Sequence, residues 1–391
     1  MNIKIIMNKF LFGSLLLVAM TFFLSCSNNK NKQSFSHEEI SVSDSSLFIQ
    51  PQYAKGFSVK YLKDGVRLLD IQDPQDENEL AYHFALVPKG IKKANLPSEY
   101  TAVSIPIDHT ICMTLLQLSN FIALNAYDYI SGITSTKNLY NKELLSRVKE
   151  GKIVKIGQEG NFDAEIIMAA NPDVIFISPF KRGGYEVIKE TGITLVPHLG
   201  YKELEPLAQA EWVKFIAMFI GKEKEANQLF ENISKRYLEL KALASQQKER
   251  PVVFSGEMHG GNWYAVGGKS FLAQMFADAG ADYVLKDDPS SGGVNIDFEK
   301  MYNLAAKADY WRILNSFPGD FTYDALKASE PRNADFKAFK EKQIIYCNMK
   351  QSPYYERSPM EPDVVLKDFV YIFHPELLPE DYQPSFYKLL K

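Results

Sequence analysis

The sequence predicts an α/β fold of two lobes, each a parallel-type sheet with covering helices, bridged by one long helix and preceded by a β-hairpin appendage. Three observations carry this. From Val103 onward, short apolar runs alternate with helical stretches, first Thr110-Ile111-Cys112-Met113, then Ile130 to Ile133, Ile153 to Ile156, Val174 to Ile177 and Thr194 to Val196. Such alternation argues for parallel strands with helices on their faces. A matching stretch then occurs twice. Asn161-Phe162-Asp163-Ala164-Glu165, a helical run and Asn171-Pro172-Asp173-Val174 are echoed by Asn295-Ile296-Asp297-Phe298-Glu299, a helical run and Ala308-Asp309-Tyr310-Trp311. Between the copies, Leu204, Leu207, Ala208, Trp212, Phe215, Ile216, Phe219 and Ile220 recur at three- and four-residue spacing, an apolar helical stripe. A unit used twice around one long helix implies two similar lobes and a cleft, which points to capture of a ligand rather than chemistry on one.

Taken in order, residues 1–25 read as a targeting segment. Lys4 and Lys9 supply a positive start, and Phe10 to Leu24 is an uncharged apolar run. Fifteen residues fall short of the roughly 20 needed to span a bilayer. The run ends Phe23-Leu24-Ser25-Cys26, which resembles a bacterial lipobox with Cys26 as the lipidated residue. Residues 26–50 form a tether, rich at its start in Asn, Lys and Ser. Residues 51–102 are the β appendage. Phe57 to Tyr61 and Val66 to Ile71 flank Lys63-Asp64-Gly65, a hairpin signal, and Tyr82 to Val87 is a third strand. The N-terminal lobe follows over 103–202, the connecting helix over 203–221, with Pro206 in its first turn and Gly221 at its end. The C-terminal lobe takes 222–391. It opens with a second helix carrying Ala226, Leu229, Phe230, Ile233, Tyr237, Leu240 and Ala244 on one face, then strands at Val252 to Phe254 and Ile344 to Tyr346, and closes with a helix over Pro362 to Phe373.

Composition narrows the function. The 391 residues leave room for two lobes beyond the leader and tether, 46% hydrophobic content is ordinary for a globular protein, and 13% aromatic is rich. A net charge of −4 gives no reason to expect nucleic acid. After Cys26 only Cys112 and Cys347 remain, one per lobe, and read as buried free thiols. No zinc spacing, Gly-x-Ser-x-Gly elbow or His-Glu-x-x-His motif is present, so neither a cofactor nor an enzyme is expected. His109, His198 and His259 do not cluster in sequence, which disfavours a manganese or zinc binder.

Glu165 followed seven residues later by Pro172-Asp173-Val174-Ile175 resembles the core signature of the class III substrate-binding proteins of ABC importers, over about residues 103–375. In the second copy Ala308 replaces the proline, nine residues after Glu299. The resemblance implies a monomeric lipoprotein on the periplasmic side of a bacterial membrane, lipid-anchored there. It also implies a ferric siderophore, haem or cobalamin as ligand, an ABC permease with its ATPase as partner, and Glu165 and Glu299 as permease-docking residues. The appendage looks like a variant found in lipoproteins of the Bacteroides group. An iron complex is the leading expectation. Cobalamin is the alternative, for which Arg182 and Arg357 would face away from the ligand, and a surface interaction protein is the third.

Ligands of open α/β sheets sit beyond the carboxyl ends of the strands. The loops there carry Phe180, Arg182 and Tyr185, then Trp263 and Tyr264, then Tyr354, Tyr355 and Arg357. Aromatic faces beside forked guanidinium donors suit a large flat or metal-chelated anion, and these eight are the expected ligand-binding residues. Gly267-Gly268-Lys269-Ser270 reads as a tight turn with Ser270 as N-cap.

Overall fold

The computed structural model describes residues 47–391 except 77–80, 92–94, 159 and 180–184. The leader and Cys26 lie outside the described residues, as do Phe180 and Arg182. No helix among the described residues is long and apolar enough to cross a membrane.

The appendage is a four-stranded sheet, one strand larger than expected. Phe57–Tyr61, Arg67–Ile71 and Tyr82–Pro88 pair antiparallel in succession, and Thr101–Ile105 adds parallel to the third. The sheet therefore crosses the boundary expected at 102. Its hairpin turns at Gly65, whose φ of +80° is the left-handed geometry that glycine supplies. Asp64 Oδ1 accepts the Val66 N–H at 3.2 Å.

Each lobe holds a five-stranded sheet. In the first, Val154–Lys155, Ile130–Ile133, Thr110–Cys112, Val174–Ile177 and Thr194–Pro197 lie side by side, all parallel. In the second, Asp282–Tyr283, Val252–Ser255, Tyr310–Asn315 and Ile344–Asn348 are parallel, and Lys388–Leu389 adds an antiparallel edge. A small antiparallel sheet of Glu257–His259, Asn262–Val266 and Gly293–Ile296 completes the second lobe.

The repeated stretch has one physical job in both lobes. Asp163 caps the helix Ala164–Ala169, accepting the N–H groups of Glu165 and Ile166, and Asp297 caps Phe298–Ala305 through Lys300. After each helix an aspartate fastens the start of the neighbouring strand. Asp173 Oδ2 accepts the N–H groups of Asp108 at 2.6 Å and His109 at 3.0 Å, just before Thr110–Cys112. Asp309 Oδ2 accepts that of Val252 at 2.8 Å, at the head of Val252–Ser255. Both sheets are thus pinned at the amino ends of their central strands.

The helix Pro206–Ile220 joins the lobes and packs on Glu223–Ala244. The burial goes beyond the apolar stripe, since every residue but Gln209 is buried. The cause is the appendage, whose Phe57 sets its ring edge against Trp212 at 5.1 Å and Phe215 at 5.5 Å. The chain before that strand carries backbone N–H groups into an apolar setting, and two carboxylates receive them. Glu211 accepts from Gln52 (2.9 Å), Tyr53 (2.7 Å) and Ala54 (2.9 Å), and its charge meets Lys214 at 2.7 Å. Glu203 accepts from Lys55 (3.0 Å), Gly56 (2.9 Å) and Trp212 Nε1 (3.0 Å). Burial raises the Glu203 carboxyl above its ordinary range, opposed by these hydrogen bonds. Gly56 cannot be larger, since a Cβ there would lie 2.6 Å from the Trp212 ring. Behind the same tryptophan, at 4.6 Å, burial keeps His198 neutral by lowering its pKa to about 3.

Truncating Glu211 leaves three amide donors and the Lys214 ammonium buried without their acceptor. Glu211→Ala is expected to lower unfolding free energy by roughly 3–5 kcal/mol, measured by urea denaturation. A loss below about 1 kcal/mol, the scale of an exposed pair, would show that the appendage is held by packing alone.

Candidate functional site

Parallel strands place their carboxyl ends together, and at that end of the second lobe lies a cavity of about 370 Å³. Ser255, Gly256 and Glu257 follow the strand Val252–Ser255, Arg312 and Leu314 come from Tyr310–Asn315, and Tyr354 and Tyr355 follow Ile344–Asn348. The facing wall is Tyr201, Glu203 and Leu204, the segment that leads into the bridging helix.

Of the expected residues, Tyr264, Tyr354 and Tyr355 line this one cavity. Tyr264 and Tyr355 are half-exposed, whereas Tyr354 is packed edge-on against Tyr387 at 5.6 Å and Phe386 at 5.8 Å. Trp263 does not reach the cavity. Side chains alternate along Asn262–Val266, so if Tyr264 faces the cleft its neighbour faces the core. Trp263 is fully buried, among Phe254, Trp311 and Phe336, with Nε1 donating to the Ser255 carbonyl at 2.9 Å. Arg357 also turns away. It forks onto Glu361 at 2.9 and 2.7 Å and covers the Phe386 ring. Tyr185 lies on the first lobe outside this cavity and donates its hydroxyl to the Ser178 carbonyl at 2.7 Å.

Arg312, which the sequence reading passed over, is the strongest group in the cavity. It is only 7% exposed, sits in a buried strand, and no carboxylate among the described residues lies within ion-pair reach. Its guanidinium donates from Nε to the Tyr387 hydroxyl at 3.1 Å and lies 5.1 Å from that ring. The signal was legible, because a lone cation inside Trp311-Arg312-Ile313-Leu314 requires compensation that the strand cannot give. Glu257 is the acidic counterweight. Burial raises its pKa, opposed by the Asn315 amide at 3.2 Å and the charge of Arg312. Burial likewise raises the Tyr355 phenol, with Arg312 opposing. The cavity therefore sets tyrosines around one cation, with the carboxyls of Glu257 and Glu203 also on its lining, and offers flat faces and a forked donor to an anionic oxygen ligand.

Two glycines shape it. A Cβ on Gly256 would meet the Tyr264 carbonyl at 2.0 Å, and one on Gly293 would meet the Tyr264 hydroxyl at 2.0 Å. Without side chains there, Tyr264 lies flat across the neighbouring strand.

The lobes also meet directly. Glu356, buried, accepts the N–H groups of Tyr140 at 2.6 Å and Asn141 at 2.9 Å, and Tyr140 donates its hydroxyl to the Met349 carbonyl at 2.9 Å. At the far end of the second sheet is another cavity, of about 450 Å³. Its one arginine and its aspartate already have partners, Asp309 with Lys337 and Arg250 with Asp282. Glu165 and Glu299 are both exposed. The Glu165 carboxylate has no ion-pair partner among the described residues, while Glu299 meets Arg332 at 3.2 Å, itself forked onto Glu330. Cys112 and Cys347 are buried free thiols.

Residues 112–350, more than half of the chain, match the family described as periplasmic binding protein. An uncharacterized lipoprotein of Methanocaldococcus jannaschii is 27% identical over 89% of this chain and 87% of its own length. A second from that organism is 30% identical over 79% and 80%. Among solved structures, a periplasmic haem-binding protein from Pseudomonas aeruginosa superposes with a TM-score of 0.56 at 17% identity, covering 73% of this chain and 98% of that one. An ABC-type Fe3+-hydroxamate transport protein from Saccharomonospora viridis gives 0.52 at 17% identity, covering 69% and 94%. At that identity the likeness shows the fold.

Proposed function

The chain belongs to the periplasmic binding protein family, a family of substrate-binding proteins and not of enzymes, and from that premise we propose that it captures an iron complex, a ferric siderophore or haem, and delivers it to an ABC permease. The observation that carries the reading is Arg312, a buried cation open to the cavity, with no carboxylate partner among the described residues and ringed by Tyr264, Tyr354 and Tyr355. An unpaired buried charge is costly, and an anionic chelate entering the cleft would neutralise it. The solved neighbours named for haem and for Fe3+-hydroxamate support the same class of cargo. Cobalamin is the second reading, favoured by Arg357 turning onto Glu361. Cys26 is proposed as the lipid anchor on the periplasmic side, in keeping with the lipoprotein relatives. We assign 106–202 and 222–391 as the lobes, the strand Thr101–Ile105 going with the appendage sheet, and Glu165 and Glu299 as their docking carboxylates.

Arg312→Met keeps the apolar stem and removes the charge. It is expected to lower affinity for the anionic complex that the wild type binds by at least about tenfold, while leaving thermal stability equal or higher, since an unpaired buried cation is lost. Tryptophan and tyrosine quenching with haemin and ferric siderophores measures the first and calorimetry the second. Unchanged affinity would remove the cavity as the cargo site.

Affinity should also depend on pH through Glu257. Its carboxyl titrates above the ordinary range, so as pH falls through that pKa the cavity loses a negative charge and binds an anion more tightly. Titrations between pH 7.5 and 5 are expected to show this rise, and Glu257→Gln to flatten it at the tighter limit. A slope that persists in Glu257→Gln would assign the effect to another group.

Docking is separable from capture. Glu165→Ala should leave binding intact and reduce uptake by about tenfold, or ~1.4 kcal/mol. Glu299→Ala should reduce it less, because Arg332 already engages that carboxylate. Equal and full uptake in both variants would exclude these positions as the docking pair.

A further inference from the structure

Beside the cavity that holds Arg312 lies a second chamber of about 650 Å³. Gln75, Leu204, Ser270 and Ser291 line both. Gln75 belongs to the appendage, outside the 112–350 match, and its side chain spans the boundary. Ser291 donates its hydroxyl to Gln75 Oε1 at 2.6 Å, and Gln75 Nε2 donates to the Lys202 carbonyl at 2.6 Å. One amide thus joins the second lobe to the segment entering the bridging helix.

Both supports of this contact are firm. The Gln75 N–H donates to Asp73 Oδ1 at 2.9 Å, and Asp73 is buried in an ion pair with Lys202. On the other side, Lys269 N–H donates to the Ser290 carbonyl at 3.0 Å and Gly267 N–H to that of Gly292 at 2.8 Å. Gly267 is packed so closely that a Cβ would fall 2.1 Å from the Ser290 carbonyl. Between these two rims, the Gln75 to Ser291 contact is a single hydrogen bond between side chains at the surface, and Gln75 itself is exposed. The chamber behind it carries Lys55, Lys269 and Lys286 against Glu205 and Asp282.

We propose that Gln75 of the appendage, closed on Ser291, is a partition between the two chambers that sets how large an anionic cargo the cleft admits. The inference rests on the reading of the cleft as the cargo site. With the partition closed, a compact chelate fills the tyrosine-lined chamber at Arg312. With it open, an extended anion reaches past Leu204 and Ser270 to the lysines. The appendage is then a specificity element, a role that its sequence alone did not reveal.

The test uses Gln75→Ala and Ser291→Ala, both surface changes that leave the rims intact, with Arg312→Met as the control for the cleft. The probes are a ferric tris-catecholate, compact, and haemin, extended. Opening the partition is expected to raise the affinity for haemin relative to the catecholate by about fivefold in both variants. Without ligand, hydrogen exchange over 286–293 should quicken in both. An unchanged ratio and unchanged exchange, with Arg312→Met still weakening binding by about tenfold or more, would overturn the partition and leave the proposed function standing. Wild-type affinity in Arg312→Met, or no binding of either probe by the folded wild type, would remove the cleft reading and the partition with it.

Discussion

Two buried carboxylates hold this architecture together. The bridging helix is buried on nearly every side, its Glu211 and Lys214 included, so it must be covered almost all round and its polar groups given partners. Both lobes and Glu223–Ala244 cover part of it, and the appendage covers the rest through Phe57. The covering segment brings five amide N–H groups onto the helix, those of Ala54 and Gly56 fully buried, and Glu203 and Glu211 take them up. The appendage is consequently part of the bridge. Since Asp73 and Gln75 extend from the same sheet to the cleft, the element that buries the helix also borders the ligand cavity.

The cleft shows the opposite balance. The bridge meets its buried carboxylates with N–H donors and, at Glu211, with Lys214, whereas the cavity leaves Arg312 with a phenol as its partner. A site that satisfied the arginine internally would be more stable in isolation and would have less to offer an anion. Tyrosine suits the surroundings, because a phenol kept neutral by burial can donate to an anionic oxygen and present a flat face at small entropic cost.

Periodicity carried most of the fold. The runs at Ile130–Ile133, Val174–Ile177 and Pro362–Phe373 appear as elements with those bounds, because helix and strand repeats are local properties of a chain. What escaped was tertiary. The stripe in Pro206–Ile220 did not disclose that its polar residues Glu211 and Lys214 face another part of the chain. Trp263 and Tyr264 were taken together for the site, although strand alternation allows one of them at most to face it. Arg357 was chosen for its company in sequence and pairs instead one helical turn away, with Glu361. Arg312 was hidden inside an apolar run, where its isolation was the clue. Phe180 and Arg182 fall outside the described residues.

The paired aspartates at the feet of the two sheets have a further consequence. Asp173 and Asp309 hold the amino ends of the strands in register from below, by bonds to main-chain N–H groups that any residue but proline can supply. Along the rest of their length the strands are held by their own ladder bonds. The loops at the opposite end are free to exchange residues, lengthen or change charge while the scaffold stays as it is. A binding surface built this way can be rewritten over generations without renegotiating the fold beneath it, and the two halves can diverge while still standing on the same footing.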